Sequence, residues 1–240
     1  MIARAAACAI GAAALAGCSN IAVFRFEPSP RITGEAIVKE GVAIPPVRDS
    51  RGRDPLNHNL KNLALIPFIP FATSYADFPE RAWFDASPNL NGFDPSEDLA
   101  EALRLEIEGQ GLFRACRRVP TGVHGERYEL KLELQDCHIS EGYLTYGVSL
   151  ISPLLHLLGF PEGTLRCRVG ARATLVDRRT AAAVWTREIV DQNTQITWIY
   201  NSREADLACR AFSRMLTQQI RLAVAELREQ LAREAVSGGR

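Results

Sequence analysis

The chain has 240 residues, 47% of them hydrophobic, which is enough for one substantial domain or two small ones. Its 28 basic residues balance 28 acidic ones, so there is no basic field of the kind that draws nucleic acid, and that partner class is excluded. Lysine occurs only at Lys39, Lys61 and Lys131 while arginine is abundant, a bias from which no function follows.

The N-terminus has one basic residue, Arg4, an apolar run from Ala5 to Leu15, and then Leu15-Ala16-Gly17-Cys18. Charged, apolar and small-residue segments in that order make a secretory signal. The apolar run is well short of the roughly 20 residues that a spanning helix needs. Leu-Ala-Gly-Cys resembles the lipobox of bacterial lipoproteins. The resemblance implies cleavage before Cys18, a diacylglyceryl group on its sulfur and acylation of the new amine. Ser19 stands where that family carries an Asp for inner-membrane retention, which implies the periplasmic face of the outer membrane. The expected organisation is a signal over 1–17, a lipidated tether over 18–31, one α/β envelope domain over 32–234 and a disordered tail over 235–240.

The first strand is expected to end at Val42 to Pro45, before Pro45-Pro46 and a polar loop containing Asp49, Arg51 and Arg53. Leu63 to Phe71 is a second apolar run whose prolines, at 67 and 70, confine it to a sheet edge or a buried loop. Thr73 to Asn91 reads as a loop that packs Trp83 and Phe84 inward. Asp94-Pro95-Ser96-Glu97 starts a helix, with Asp94 as cap, Pro95 in the first turn and Glu97 completing a capping box. Leu99, Ala102, Leu103 and Ile107 share its apolar face, Gly109 and Gly111 end it, and Leu112 to Val119 follows as a strand.

Tyr128 to Gln135 alternates strictly, with Tyr128, Leu130, Leu132 and Leu134 opposing Glu129, Lys131, Glu133 and Gln135. Thr164 to Asp177 alternates likewise, and a turn then leads to a strand over Ala182 to Ile199. Asn201 and Glu204 are expected to cap a long helix from Ser202 to Arg233, with Ala208, Phe212, Met215, Leu216, Gln219 and Ala223 as its packing stripe. The predicted fold is α+β: a mostly antiparallel sheet of four to five strands against two helices, with a long apolar insertion between two strands.

With Cys8 removed and Cys18 acylated, Cys116, Cys137, Cys167 and Cys209 remain in a chain bound for an oxidising compartment, where disulfides are favoured over buried thiols. Zinc would need ligands paired on one turn or helical face, and no such spacing occurs. Facial parity puts Cys137 on the wet face with Cys116 and puts Cys167 beneath the helix that carries Cys209. The expected bridges are therefore Cys116–Cys137 and Cys167–Cys209.

Tyr143 to Gly163 is far longer than a hairpin connection, which usually takes two to five residues. It carries no charge from Leu144 to Pro161 and contains Leu150, Ile151, Leu154, Leu155, Leu157, Leu158 and Phe160. It either folds back into the core, with a short helix after Pro153, or forms a working surface of Tyr143, Tyr146, Leu150, Leu154, Leu155, Leu157, Leu158 and Phe160 against a membrane or partner. Because it has no basic residue to attract anionic headgroups, a protein partner is the preferred occupant.

Several pieces resemble the anticodon-binding-like or amino-terminal TolB-like α/β modules of envelope lipoproteins. They are Val42-Ala-Ile-Pro-Pro-Val-Arg-Asp, the helix ending Gly111-Leu112-Phe113, the strand Tyr128 to Gln135, and Val176-Asp177 with Val184-Trp185. Lipoproteins with such modules include ABC-transporter auxiliaries, activators of peptidoglycan synthases and the curli secretion lipoprotein. Ile66-Pro67-Phe68, Thr145 to Ser149 and Leu158 to Pro161 also look like a set of uncharacterised bacterial lipoproteins. The resemblance implies a non-catalytic accessory or scaffold protein, membrane-held through its lipid, that binds another envelope component and needs no cofactor or metal; homo-oligomers are compatible with it. The alternatives are a lipid-binding or lipid-transport lipoprotein and a hydrolase. Ser149, His156 and Asp177 could be assembled into a catalytic set, but no nucleophile or phosphate-loop motif supports them. His156 among leucines reads as a satisfied core or interface histidine, and His58, His124 and His138 as isolated residues.

Overall fold

The computed structural model describes residues 24–51, 58–60, 62–63, 66–77, 93–120, 125–148, 150–201 and 204–238. Residues 1–17 of the expected signal, Cys18, Trp83, Phe84, His124 and Ser149 lie outside the described residues.

One eight-stranded sheet organises them, larger and more mixed than the four to five mostly antiparallel strands expected. Its strands are β1 (Val38–Ile44), β2 (Arg48–Asp49), β3 (His58–Asn59), β4 (Phe71–Asp77), β5 (Phe113–Arg118), β6 (Tyr128–Leu144), β7 (Gly163–Asp177) and β8 (Ala182–Thr197). The described helices are α1 (Pro95–Gly109), the short α2 (Ser152–Leu157) and α3 (Glu204–Gly238). The fold class is thus α+β.

β6 is the spine, seventeen residues long. On one side β7 pairs with it antiparallel along its length, and β8 pairs with β7. On the other side its partners change along the strand: β1 runs parallel at Tyr128, β2 parallel at Glu133, and β4 antiparallel from His138 to Leu144. β1 also pairs parallel with β5, so the helix α1 connects parallel strands, as such crossovers require. Strand β4 covers Phe71–Asp77, where the sequence suggested a loop from Thr73 onward. Two of its side chains explain the error, because Ala72 and Ser74 are buried without an apolar alternation to announce it.

The helices cover one face. Leu99, Leu103 and Ile107 of α1 and Phe212, Leu216, Ile220 and Leu227 of α3 are buried against Leu130, Leu132 and Leu134 of β6 and the alternate residues of β7. Each such side chain contributes about 1.5–3 kcal/mol on burial. The opposite face is wet, with the ion pairs Arg172–Glu188 at 2.7 Å and Arg168–Asp136 at 2.9 Å across neighbouring strands. Exposed pairs of this kind add little stability.

At the start of α1, Asp94 Oδ1 accepts from the amides of Ser96 and Glu97, as expected of a cap. The residue that reaches back to the Asp94 amide is Asp98, at 2.8 Å, and Glu97 is drawn away to Arg118 at 2.6 Å. The helix α3 runs on to Gly238, so ordered helix occupies most of what reads as a frayed tail.

Residues 24–31, part of the expected tether over 18–31, are packed onto the helices. Phe24 is buried against Phe93, which stacks on Phe212 with ring centres 4.8 Å apart. Arg25 N–H donates to Ser213 Oγ, Arg221 donates to the Glu27 carbonyl, and Ser29 N–H donates to the buried Glu106 carboxylate. The loop at Asp49 is likewise structured: Arg51 pairs with Asp49 at 2.5 Å and reaches the Cys137 carbonyl.

Candidate functional site

The β6–β7 connection projects from one end of the sheet. Tyr143 is still in the ladder, opposite Gly163, so the true insertion begins at Thr145. Within it α2 forms at Ser152, with Pro153 in its first turn, and Gly159, at φ 94°, supplies the left-handed residue that ends it.

This helix is inverted with respect to ordinary amphipathicity. Its polar residues, Ser152 and His156, one turn apart, are the buried ones. His156 Nε2 lies 3.0 Å from the Leu144 carbonyl and 3.3 Å from Ser152 Oγ, and Ser152 Oγ also donates to Leu144 O. The histidine is therefore a satisfied structural residue, as read from its leucine surroundings. The apolar residues face out: Leu150 is 90% exposed, Leu158 69%, and Leu154 and Leu157 55% each. Ile151 and Phe160 are also exposed, and Leu155 is half-buried.

Tyr146 holds the insertion in shape. Its hydroxyl donates to the Pro161 carbonyl at 2.7 Å, and its ring lies edge-on to Phe160, 5.9 Å away. The Tyr200 hydroxyl donates to the Leu157 carbonyl, tying α2 to the approach to α3.

A second segment, missed as part of this surface, completes it. Thr145 N–H donates to the Pro70 carbonyl, and its hydroxyl donates to Ile69 O, which brings residues 66–71 against the insertion. Ile69 N–H donates to Ile66 O across a tight turn with Pro67 and Phe68 at its centre. Phe68 takes φ 68° there, a conformation that favours glycine, and its side chain is 88% exposed. Ile66 and Phe71 are exposed beside it. The signal for this segment was the apolar run from Leu63 to Phe71, but nothing in sequence showed which loop it would join.

The cysteines differ from expectation. All four are thiols, with no disulfide among them. A Cys116–Cys137 bridge is ruled out by topology. β1 separates the two strands, with Val42 facing Cys116 on one side and Tyr128 on the other. Cys137 lies nine residues farther along β6, roughly 30 Å at the strand rise, whereas a bridge needs Cα atoms within about 7 Å. Cys137 moreover faces the core, because Gln135 is bulged out of the β6–β7 ladder and inverts the parity beyond it. Cys167 and Cys209 are buried neighbours beneath α3 but unbridged. Burial pushes the Cys167 thiol up to about 12, with Cys209 adding to the effect. Burial likewise raises Cys116 to about 12.

Two polar arrangements lie elsewhere. His138, expected to be isolated, has Nδ1 2.7 Å from Asp136 Oδ1 and packs its ring on Tyr75, while Arg168 holds the same carboxylate. A cleft of about 790 Å³ lies between residues 25–29, α1 and α3, lined by polar side chains including Arg25, Glu106 and Arg221. Ser149 of the catalytic set considered from sequence lies outside the described residues. Asp177 is engaged by Arg127 at 2.8 Å, at the opposite end of β7 from His156. Among the described residues no helix is long and apolar enough to cross a membrane, and no group of three or more His, Cys, Asp or Glu is placed to hold a metal.

No family model matches the sequence, and no curated protein matches it. Among solved structures the chain is similar to a protein of the family DUF330 from Xanthomonas campestris, at 12% identity and TM-score 0.46 over 90% of this chain and 99% of that one. It is also similar to a neuraminyllactose-binding hemagglutinin homologue from Helicobacter pylori, at 8% identity and TM-score 0.41 over 90% and 95%. A third is a PelC dodecamer from Paraburkholderia phytofirmans, at 13% identity and TM-score 0.32 over 82% and 96%. The low scores and identities keep these likenesses from assigning a role.

Proposed function

We propose that this chain is a lipid-anchored accessory lipoprotein of the bacterial envelope, non-catalytic, displayed at the periplasmic face of the outer membrane and acting by contact with another envelope component. The observation that carries the reading is the inverted helix α2, whose leucines face outward while Ser152 and His156 face inward. A helix with no outside partner would gain by the opposite arrangement. Leu150, Leu154, Leu157, Leu158 and Phe160 together make one exposed apolar surface, of the kind that marks an interaction site. The sequence Leu15-Ala16-Gly17-Cys18 supports the anchor.

The anchor is tested by metabolic labelling with fatty acid. Label on the wild type, with uncut and unlabelled precursor for Cys18→Ala, is the expected result. Absence of label on the wild type overturns it. The contact role is tested by comparing wild type with the Leu154→Asp, Leu157→Asp pair in cells lacking the native protein. A stable but non-complementing variant supports contact, and full complementation overturns it.

A further inference from the structure

Residues 24–27, which follow the expected anchor in sequence, come to α3 from the side of the apolar end. The helix α3 starts beside the insertion, through the Tyr200–Leu157 hydrogen bond and the Cys167–Cys209 neighbourhood, and runs back along β8 to Arg187–Glu226 and Val184–Gln230. Residues 25–27 run alongside α3 in the same direction, with partners moving from Ser213 to Arg221. Followed backwards, residues 27 to 24 therefore lead toward the insertion end.

The lengths make this restrictive. Ser213 is nine residues from the start of α3, about 14 Å along the axis. Cys18 precedes Phe24 by six residues, which span at most about 22 Å. An acylated Cys18 can reach the level of the insertion. The turn at Arg178 to Thr180 lies at the far end of β7, a strand of about 50 Å, beyond the same reach.

Resting on the proposed lipidation, we infer that α2 and the Phe68 turn insert into the leaflet that holds the Cys18 acyl chains, so that the sheet stands end-on to the bilayer. The reach of Cys18, which brings a leaflet to this end, favours lipid over the protein partner that the lack of basic residues suggested, and two features agree with an apolar surface there. The segment from Leu144 to Pro161 is uncharged, so its insertion draws on apolar area alone and does not depend on anionic lipid or low salt. Phe68 holds a strained backbone while presenting its ring to solvent, an arrangement without return unless something apolar receives the ring.

The test uses acylated full-length protein in vesicles of phosphatidylcholine and phosphatidylethanolamine, some carrying dibrominated acyl chains that quench tryptophan on contact. Leu150→Trp should gain emission over the parent that is strongly quenched, and Arg179→Trp emission that is not, both unchanged between low and high salt. Adding Leu154→Asp and Leu157→Asp should cut the quenching at position 150 at least about fivefold. Phe68→Asn removes the ring while easing the left-handed backbone, so quenching should fall although thermal stability holds or rises. Equal quenching at both positions, or none at 150 in protein that carries fatty acid, overturns the inference while leaving the anchor intact. Failure of the fatty-acid label removes the anchor itself. Covering of Leu150 by a second copy or by another protein, seen as cross-links from that position without quenching, also overturns it.

Discussion

Leu134 and Cys137 are three residues apart on β6 and yet face the same side of the sheet, opposite Ala171 and Val169 respectively. Regular alternation would set them on opposite faces. The bulge at Gln135 absorbs the odd residue, so the apolar face continues through Cys137 and Ile139 to the end that carries the insertion. Deleting Gln135 should remove the bulge and leave Leu134, Cys137 and Ile139 on the same apolar face in unbroken alternation. The expected outcome is a cooperative urea transition retained within about 1 kcal/mol of wild type, and loss of that transition would show that the bulge itself is needed.

Burial also bears on thiol chemistry. Cys116 and Cys167 are pushed to about 12 by burial, which leaves almost no thiolate at pH 8. Iodoacetamide at that pH should leave them unmodified in the folded protein and should modify Cys116, Cys137, Cys167 and Cys209 all together in urea without reductant. Peptide mapping of unreduced protein that recovered Cys167 joined to Cys209 would contradict the thiol state.

Asp98 titrates abnormally. Burial first, then the charges of Asp94 and Glu97, raise its carboxyl from 3.8 to about 6, against the lowering effect of the bond from the Asp94 amide. A raised carboxyl favours the folded state while protonated, so its contribution is full below about pH 4 and is lost as pH rises through 6. Asp98→Asn should therefore be more stable than wild type at pH 8, by about 1 kcal/mol after allowing for partial exposure, and no more stable at pH 4. Urea midpoints of both proteins at the two pH values check the sign.

The docked N-terminal segment depends on an aromatic stack. Phe24 meets Phe93 at 5.1 Å, and Phe93 meets Phe212. Phe212→Ala, at the fully buried end, should cost about 4 kcal/mol, and Phe24→Ala less, about 2 kcal/mol, since a segment near a terminus can relax. Limited proteolysis of Phe24→Ala should cut within residues 25–32 before any cut in α3. Equal protection of both proteins would show that the polar contacts of Arg25 and Ser29 suffice to hold the segment.

Much of this fold was legible because its signals are local. The apolar stripe of α3 from Ala208 to Ala223, the Asp94 cap and the alternation of Tyr128 to Leu134 each follow from residues within a few positions of one another. Their partners were not legible. β4 is a strand because β6 offers an antiparallel edge from His138 to Leu144, and the first strand is central because β5 and β6 both run parallel to it. The Cys116–Cys137 expectation failed for a similar reason. Parity was counted along an ideal strand, and one unpaired residue, Gln135, reverses it.

The sequence by itself determined the composition of the apolar insertion, its lack of charge and the Leu-Ala-Gly-Cys signal, because these are properties of residue order. Only the tertiary structure decided that the leucines face outward. That outcome turns on Ser152 and His156 satisfying the Leu144 carbonyl, a contact set by where the strand β6 ends. The structure also decided that Phe68 joins them and that residues 25–27 approach from the same side, since backbone pairing between distant segments is fixed by the closing of the whole sheet and not by any stretch of it.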